Sequence, residues 1–245
     1  MRIPQSHPRF RSLQVRERLV AAYRQGLVVE QGLVAHGRGE AFDYLLGEET
    51  TPPAAAAERA AVRLLLRAKN PVVSVNGNTA ALAAREVVRL AKTTGAQIEI
   101  SLFHRTPERV RKVDQVLRKA GARTVLGIRP NRKIPGLEHP RALCSEEGIY
   151  RADVVLISLE DGDRAQALRR LGKRLIAIDL NPLSRTSRAV HIAIVDDVQR
   201  ALQNMDRMAR GKVSGGEFRF DNKANLARQM KLISAHLQTA GRETR

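Results

Sequence analysis

The sequence predicts an α/β fold in which a parallel sheet is flanked by helices on both faces. From Pro71 onward, short apolar runs alternate with amphipathic stretches long enough to be helices, which is the pattern of a doubly wound sheet. The length of 245 residues is sufficient for a full core. We divide the chain into an N-terminal helical segment at 1–70, an α/β core at 71–210, and a linker with a C-terminal helix at 211–245.

The first predicted helix starts after Pro8 and runs to about Gln25, where Gly26 ends it. A helical wheel places Arg16 in the middle of the apolar stripe of this helix. A guanidinium there requires an anionic partner, which is either an internal carboxylate or a ligand phosphate.

Arg38 stands between Gly37 and Gly39, just before a short predicted helix. The flanking glycines let the backbone approach a ligand that Arg38 binds, or they form an ordinary flexible turn. Next, Thr51-Pro52-Pro53 starts a helix that covers 54–69 and packs on the sheet.

The run Ser74-Val75-Asn76-Gly77-Asn78-Thr79 joins a strand at 72–76 to a helix at 79–94 through a tight turn. Such a corner directs free backbone N–H groups and a helix N-terminus at one point, which favours a phosphate or a carboxylate. The simpler alternative makes Gly77 a turn residue and Asn78 or Thr79 an N-cap.

Five further strands are predicted, at 97–103, 123–127, 153–159, 174–179 and 190–195. Thr106 caps a predicted helix at 106–120. The connection from 127 to 150 is too long for a turn and is interpreted as a basic lid over a polyanion, with Arg129, Arg132, Lys133 and Arg141.

The C-terminal segment is predicted to contain a linker at 212–216 and a final helix that Asp221 caps. The apolar residues of this helix recur at helical spacing and must pack on the domain body or on a second subunit. They are Leu226, Met230, Ile233 and Leu237.

Carboxylates cluster where the strand at 153–159 ends, in the run Glu160-Asp161-Gly162-Asp163-Arg164. The carboxyl ends of parallel strands are where such sheets bind ligands. This cluster suits Mg²⁺ with nucleotide phosphates, a substrate ammonium group or a general base. Alternatively, it is a turn with solvated charges in which Asp163 caps a helix.

The strand at 174–179 ends in Asp179-Leu180-Asn181-Pro182-Leu183-Ser184-Arg185-Thr186. A carboxylate at a strand tip suits a ribose hydroxyl, an amide suits an adenine edge, and an arginine beside hydroxyls suits a phosphate. The alternative is structural, with Pro182 stopping the strand and Ser184 capping a turn. The last strand ends in Asp196-Asp197-Val198, where one carboxylate caps a helix and the other faces the same cleft.

The net charge of +18, from 43 Lys and Arg against 25 Asp and Glu, would attract nucleic acid, an acidic membrane surface or a polyanionic small substrate. Aromatic residues make up only 3% of the chain and form no stacking array, which disfavours RNA binding. A basic nucleic-acid-binding protein stays the alternative. With Cys144 as the single cysteine, and with neither a signal peptide nor a membrane span expected, we predict a cytoplasmic protein.

Two common nucleotide-binding motifs are missing from the sequence. No segment fits the P-loop pattern, and Phe42 stands where the third glycine of GxGxxG would follow Gly37 and Gly39. A P-loop NTPase and an ordinary dinucleotide dehydrogenase are therefore disfavoured. The six histidines show no metal-ligand spacing.

Taken together, six segments closely resemble the archaeal 4-phosphopantoate–β-alanine ligases, also called phosphopantothenate synthetases, over nearly the whole chain. They are Ser6-His7-Pro8-Arg9, the run from Ala35 to Leu45, Ser74-Val75-Asn76-Gly77-Asn78, Ile134-Pro135-Gly136-Leu137-Glu138, the run from Leu159 to Arg164, and the run from Asp179 to Arg185.

This resemblance implies a homodimeric, Rossmann-like enzyme of coenzyme A biosynthesis. It would join 4-phosphopantoate to β-alanine and split ATP to AMP and pyrophosphate through an acyl-adenylate. The ATP contacts that the resemblance implies are Arg16, Arg38, Asp179, Leu180, Asn181, Arg185, Thr186, Asp197 and Val198. The chain departs from the family pattern at Asp197, where an Asn is expected, and at His104, where a Tyr is usual.

The chemistry of the reaction suggests the remaining assignments. Several anions must be held together, so arginines, helix N-termini and Mg²⁺ are expected at the site. Asp161 and Asp163 receive the β-alanine ammonium or Mg²⁺ and, with Arg38, are the predicted catalytic residues. Either a nearby carboxylate or His36 takes the amine proton. The predicted phosphopantoate contacts are Asn76, Gly77, Asn78, Thr79 and Arg105.

Overall fold

The computed structural model describes residues 4–7, 9–211 and 219–243, and a parallel sheet lies at its centre. The strands in this part of the chain are β1 (Pro71–Val75), β2 (Gln97–Ile100), β3 (Arg132–Lys133), β4 (Leu143–Cys144), β5 (Val154–Ser158), β6 (Arg174–Ile178) and β7 (Ile192–Ile194). The main sheet has the order β2-β1-β5-β6-β7 with parallel neighbours, and β3 and β4 form a separate antiparallel pair. The predicted α/β class is confirmed.

Helices cover both faces of the sheet. They are α1 (Phe10–Arg24), α2 (Glu30–Leu46), α3 (Pro52–Arg67), α4 (Gly77–Thr94), α5 (Pro107–Lys119), α6 (Gly162–Arg170), α7 (Arg185–Ala189), α8 (Val198–Arg210) and α9 (Asn222–Glu243). One apolar core lies between the sheet and α1, α3, α4, α5 and α8, and the second includes α6 and residues of the connection before β5. Because side chains alternate along a strand, Val73 belongs to the first core and Val72 to the second.

The direction in which strands are added to the sheet reverses between β1 and β5. The chain passes from β1 through α4 to β2, and then crosses back to place β5 on the other side of β1. Loops at such a reversal diverge and leave a crevice at the carboxyl ends of the strands, where ligands bind in sheets of this kind. This topology places the Asn76 corner and the Glu160 loop on opposite sides of one crevice.

The predicted strand at 123–127 is wrong. In its place, Leu126 makes a single bridge with Glu99 of β2. The backbone turns away at Gly127, which has a φ of 79°, a left-handed conformation that ends an extended run. The carbonyls of Gly127 and Ile128 accept hydrogen bonds from the Arg105 guanidinium instead of from a strand.

The Gly37-Arg38-Gly39 turn is also corrected, because these residues lie inside α2. Glycine costs about 1 kcal/mol in a helix interior, but tertiary contacts hold this helix at both ends. Asn78 Nδ2 donates to the Gly32 carbonyl at 2.7 Å, and Arg200 forms an ion pair with Asp43 at 2.5 Å.

The helix caps follow the sequence prediction. The hydroxyl of Thr51 accepts a hydrogen bond from Ala54 N at 3.3 Å, and that of Thr106 accepts one from Arg109 N at 3.1 Å. Asp221 accepts one from Ala224 N at 2.9 Å. Each of these residues starts its helix as predicted.

The C-terminal helix α9 packs against α2, α3 and β7. Leu226 is buried and Ile233 is packed against the second core, whereas Met230 and Leu237 are exposed. The domain body therefore covers only part of the predicted stripe. The predicted linker at 212–216 lies outside the described residues. Among the helices that the structure describes, none is both long and apolar enough to cross a membrane.

Candidate functional site

Helix α2 crosses the carboxyl edge of the sheet. Its Gly32 lies against Asn78, which follows β1, and its Gly39 lies against Leu180, which follows β6. Seven residues of helix rise about 10 Å, which matches two strand spacings of about 4.8 Å each. Near the end of α2, Asp43 pairs with Arg200 of α8, which follows β7. The helix therefore forms the roof of the crevice.

Beneath this roof lies a cleft of about 270 Å³. It brings together five of the predicted site residues, namely Arg38, Asn76, Gly77, Asn78 and Asp161. The remaining walls come from α2, α5, the loops after β2 and β5, and the connection before β5, and include Leu102, Phe103, His104, Arg109, Arg141 and Leu159. Segments far apart in the sequence therefore converge at the reversal point of the sheet.

The N-cap of α4 is Asn76 rather than Asn78 or Thr79. Asn76 Oδ1 accepts hydrogen bonds from Thr79 N at 3.0 Å and from the Thr79 hydroxyl at 3.1 Å. Across the crevice, Asn76 Nδ2 donates to the Ser158 carbonyl at 2.8 Å. The Asn76 and Thr79 side chains thus join β1 to β5 and orient the start of α4. They affect the predicted substrate contact by fixing the position of α4.

Glu160 is the centre of a buried ion network on the other side of the crevice. Its carboxylate pairs with both Arg141 and Arg164, and Arg164 has no exposed surface. Burial alone would raise the pKa of Glu160, but the two guanidinium groups outweigh it and hold the pKa below its usual range. Arg141 Nη1 also contacts Asp161 Oδ2 at 2.6 Å, so the network ends at a cleft carboxylate.

Glu99 of β2 anchors the connection from 127 to 150, which was predicted to be a basic lid. The buried Glu99 carboxylate accepts hydrogen bonds from Ser145 N at 2.7 Å and Ile149 N at 2.6 Å. Burial raises the pKa of Glu99 to about 7. Of the lid cations, Arg141 reaches the cleft, whereas Arg132 pairs with Glu146 at 2.5 Å.

Arg105, a predicted substrate contact, is oriented toward this connection. Its Nη2 donates to the Gly127 carbonyl at 2.6 Å, and Arg105 is not among the residues that line the cleft. Asp163, a predicted catalytic residue, contacts His139 Nε2 at 3.2 Å and also lies outside the cleft lining. His139 in turn stacks on Phe103.

The loop after β6 is held by its own polar groups. Asp179 accepts hydrogen bonds from Asn181 N at 2.9 Å and from the Ser184 hydroxyl at 2.5 Å. Burial raises the pKa of Asp179, and the positive charge of Arg38 opposes that shift. Leu180 is buried beneath Gly39, so the roof helix and this loop are in contact.

Helix α7 brings Arg185 and Thr186 to the Glu160 loop. The Thr186 hydroxyl donates to the Glu160 carbonyl at 2.8 Å. A Cβ on Gly162 would lie 2.4 Å from the Arg185 Cβ, so only glycine permits this approach. Within the described part of the chain, the guanidinium groups of Arg185 and Arg38 make neither a hydrogen bond nor an ion pair. Their guanidinium groups are therefore available to an anion.

Asp197 caps α8 by accepting hydrogen bonds from Gln199 N at 2.9 Å and Arg200 N at 3.1 Å, and Val198 is buried. Arg16 pairs with Glu40 of α2 at 3.0 Å, which is the internal carboxylate considered from the sequence. His36 lies within electrostatic reach of Arg16, Glu40 and Asp197. Arg16 of α1 and Asp197, the N-cap of α8, therefore both lie near α2.

Sequence reasoning did not select Arg109, which lines the cleft from α5. Its side chain crosses to the loop before α2, where Nε donates to the Leu27 carbonyl at 3.0 Å. The available signal was an arginine in the first turn of a capped helix, close in sequence to His104 and Arg105.

Comparison with known proteins identifies close relatives over most of the chain. Residues 53–236 match the family model described as phosphopantothenate/pantothenate synthetase. The chain is 50% identical over 249 residues to a 4-phosphopantoate–β-alanine ligase of Methanosarcina mazei, covering 99% of this chain and 98% of the relative. It is 53% identical to the ligase of that name from Thermococcus onnurineus, covering 86% and 81%, and 56% identical to that from Methanospirillum hungatei, covering 84% of each.

Proposed function

The chain belongs to the phosphopantothenate/pantothenate synthetase family, and on that premise we propose that it joins 4-phosphopantoate to β-alanine at the cost of ATP, releasing AMP and pyrophosphate. It is a ligase that forms a C–N bond, in the biosynthesis of coenzyme A. The observation that carries the proposal is the convergence of Arg38, the Asn76 corner and Asp161 on one cleft. A homodimer and a cytoplasmic location stay predictions.

We assign the nucleotide to the crevice under α2 and beside the loop after β6. Arg38 and Arg185 are exposed and free of carboxylate partners in the described part of the chain, so they supply charge to the triphosphate. We assign the ribose and the adenine to Asp179, Leu180 and Asn181, because sheets of this topology bind ligands at the carboxyl ends of their strands. Arg16 is already neutralised by Glu40, so its contact with ATP requires sharing of that ion pair.

The reaction requires two displacements. In the first, a carboxylate oxygen of 4-phosphopantoate bonds to the α-phosphorus of ATP, and pyrophosphate leaves with the electron pair of the broken P–O bond. In the second, the β-alanine nitrogen bonds to the acyl carbon and AMP leaves. Arg38 faces the cleft, where it offsets the charge of both the attacking carboxylate and the phosphate.

The incoming amine must lose a proton before or during its attack. Burial lowers the pKa of His36, so the ring is neutral and able to accept a proton at neutral pH. Asp161, half-exposed in the cleft, is the other candidate base and also suits the β-alanine ammonium group. Of the two predicted carboxylates, Asp161 lines the cleft and would hold Mg²⁺ together with substrate phosphates, where the ion would neutralise triphosphate charge, whereas Asp163 lies outside the cleft lining.

The test of the proposed function is AMP release from ATP by the full chain, with 4-phosphopantoate, β-alanine and Mg²⁺ each omitted in turn. We expect AMP and 4′-phosphopantothenate in equal amounts only when both substrates are present. AMP release with other acids but not with 4-phosphopantoate would assign the chain a different substrate. ADP in place of AMP would exclude the adenylate route.

Replacing Arg38 with alanine is expected to raise the Kd of ATP at least ~10-fold, because a charged hydrogen bond contributes about 1.5–3 kcal/mol. The measurement is isothermal titration of the full chain with ATP and Mg²⁺. The matched control is Arg18→Ala, which removes an exposed arginine from the first helix. Equal affinities for the two variants would remove Arg38 from the nucleotide site.

A further inference from the structure

Arg109 is a buried cation without a carboxylate partner. Only 9% of its surface is exposed. Its Nε and Nη1 donate to the carbonyls of Leu27 and His104, at 3.0 and 2.7 Å. Within the described residues, no carboxylate lies within ion-pair distance of the guanidinium, and the charge that acts on it is the like charge of Arg141. A buried charge in this setting is costly until an anion neutralises it.

The free end of Arg109 points at the start of α4. A Cβ on Gly77 would lie 2.6 Å from Arg109 Nη2, so this nitrogen is adjacent to the first residue of the helix. Nη2 donates to no described residue, and neither do the backbone N–H groups of Gly77 and Asn78. Three donors without partners therefore face the same corner of the cleft.

Arg141 adds a second guanidinium on the opposite wall of the cleft. It is 8% exposed, and its Nε is buried without a hydrogen bond to any described residue. Its Nη1 is engaged by Glu160 and Asp161. The Arg141 charge is thus largely balanced, whereas that of Arg109 is not, so Arg109 is the stronger anion ligand of the two.

We propose that Arg109, the N–H groups of Gly77 and Asn78, and Arg141 form the binding site for the phosphate of 4-phosphopantoate, which leaves the substrate carboxylate to reach Arg38. This inference rests on the proposed function for the identity of the substrate. The site itself requires only a phosphate monoester. It assigns phosphate recognition to Arg109 in place of Arg105, whose guanidinium is bound to the Gly127 and Ile128 carbonyls.

The decisive experiment compares 4-phosphopantoate with pantoate, which lacks the phosphate, by isothermal titration of wild type and Arg109→Gln. We expect wild type to bind 4-phosphopantoate at least ~10-fold more tightly than pantoate, and the variant to lose most of that ratio. General damage to the cleft would weaken both ligands equally, so an unchanged ratio would overturn the proposal. Loss of the ratio in Arg105→Gln but not in Arg109→Gln would also overturn it.

The affinity for ATP, the other phosphate-bearing substrate, is the control for Arg109→Gln. The Kd of ATP should change less than ~2-fold in Arg109→Gln, and a larger loss for ATP than for 4-phosphopantoate would place the nucleotide at Arg109 and contradict the proposal.

A measurement on wild type covers the case in which Arg109→Gln does not fold. Titration of the ¹⁵N-labelled full chain with inorganic phosphate should shift the amide resonances of Gly77 and Asn78 first, and unshifted resonances would contradict the site. If phosphate binds at Gly77 but the complete assay mixture releases no AMP, the phosphate site would stand and 4-phosphopantoate would be rejected as the substrate.

Discussion

Replacing Glu160 with glutamine is expected to lower the free energy of unfolding by about 3 kcal/mol or more, because removing one partner of a buried ion pair typically costs 3–5 kcal/mol. The substitution keeps the shape of the side chain but leaves the fully buried Arg164 without its carboxylate. For a chain of this size, that loss corresponds to a fall in Tm of about 6–12 °C. Denaturant unfolding followed by circular dichroism would measure it.

Glu108→Gln is the matched control, since Glu108 forms an exposed i,i+4 pair with Lys112 at 2.7 Å, whereas Glu160 forms a buried i,i+4 pair with Arg164. We expect a much smaller loss from the exposed pair, because solvent screens the attraction between its charges. Similar losses in the two variants would show that the Glu160 network adds no more than a surface pair.

The effect of Glu160→Gln also depends on pH. Because the folded state lowers the pKa of Glu160, its ionised carboxylate stabilises the fold above the ordinary carboxyl pKa, and this contribution is lost as pH falls through the lowered value. The stability difference between wild type and variant should therefore be full at pH 7 and shrink under acid conditions. A difference that grows on acidification would contradict the sign of the shift.

Replacing Gly77 with alanine is expected to reduce kcat/KM by about 100-fold, since a displacement of about 1 Å at a reacting site has an effect of that size. The added Cβ would lie 2.5 Å from the Leu27 carbonyl oxygen and 2.6 Å from Arg109 Nη2. Because the backbone at Leu27 cannot yield as a flexible side chain can, the start of α4 must move. Steady-state assays with varied 4-phosphopantoate would measure the loss, with about 1–3 kcal/mol of stability lost as well.

Gly37→Ala is the matched control for this overpacking. Its Cβ meets nothing within 4 Å on the surface of α2, so the change should raise stability by about 0.5–1 kcal/mol through better helix propensity. If Gly77→Ala were as well tolerated as Gly37→Ala, close approach would not explain the glycine at position 77.

The sequence was sufficient to predict the elements whose signals are local. Thr51, Thr106 and Asp221 each cap the helix that they were predicted to start. Strands β1 and β5 are continuous apolar runs because both faces of the sheet are covered, and such runs are visible without knowledge of their neighbours.

Features that depend on distant contacts were not predictable in this way. Gly37 and Gly39 indicated a turn, but Asn78 and Arg200 hold the segment as a helix from 46 and 157 residues away. Likewise, Leu126 continues an apolar run, but the adjacent backbone bonds to Arg105. Propensity is overridden where tertiary bonds of this kind compete with it.

In the candidate site as well, residues with a local sequence signal were predicted, and a residue that depends on distant contacts was not. The Asn76 corner, Arg38 and Asp161 were selected from strand ends and glycine spacing, and the structure places them in one cleft. Arg109 was missed because what distinguishes it is burial without a carboxylate partner. The sequence of a helix does not show which of its charges is buried without a counter-ion.

The main-chain anchoring of Arg109 has a consequence for sequence drift among related chains. Its two acceptors are peptide oxygens, which every amino acid supplies, so exchanging the exposed side chain at His104 leaves the hydrogen bonds of the guanidinium intact. Position 104 can therefore diversify while the arginine keeps its pose, whereas Leu27 is constrained by its place in the first core. A different side chain at position 104 would change the shape of the cleft entrance without moving the Arg109 guanidinium.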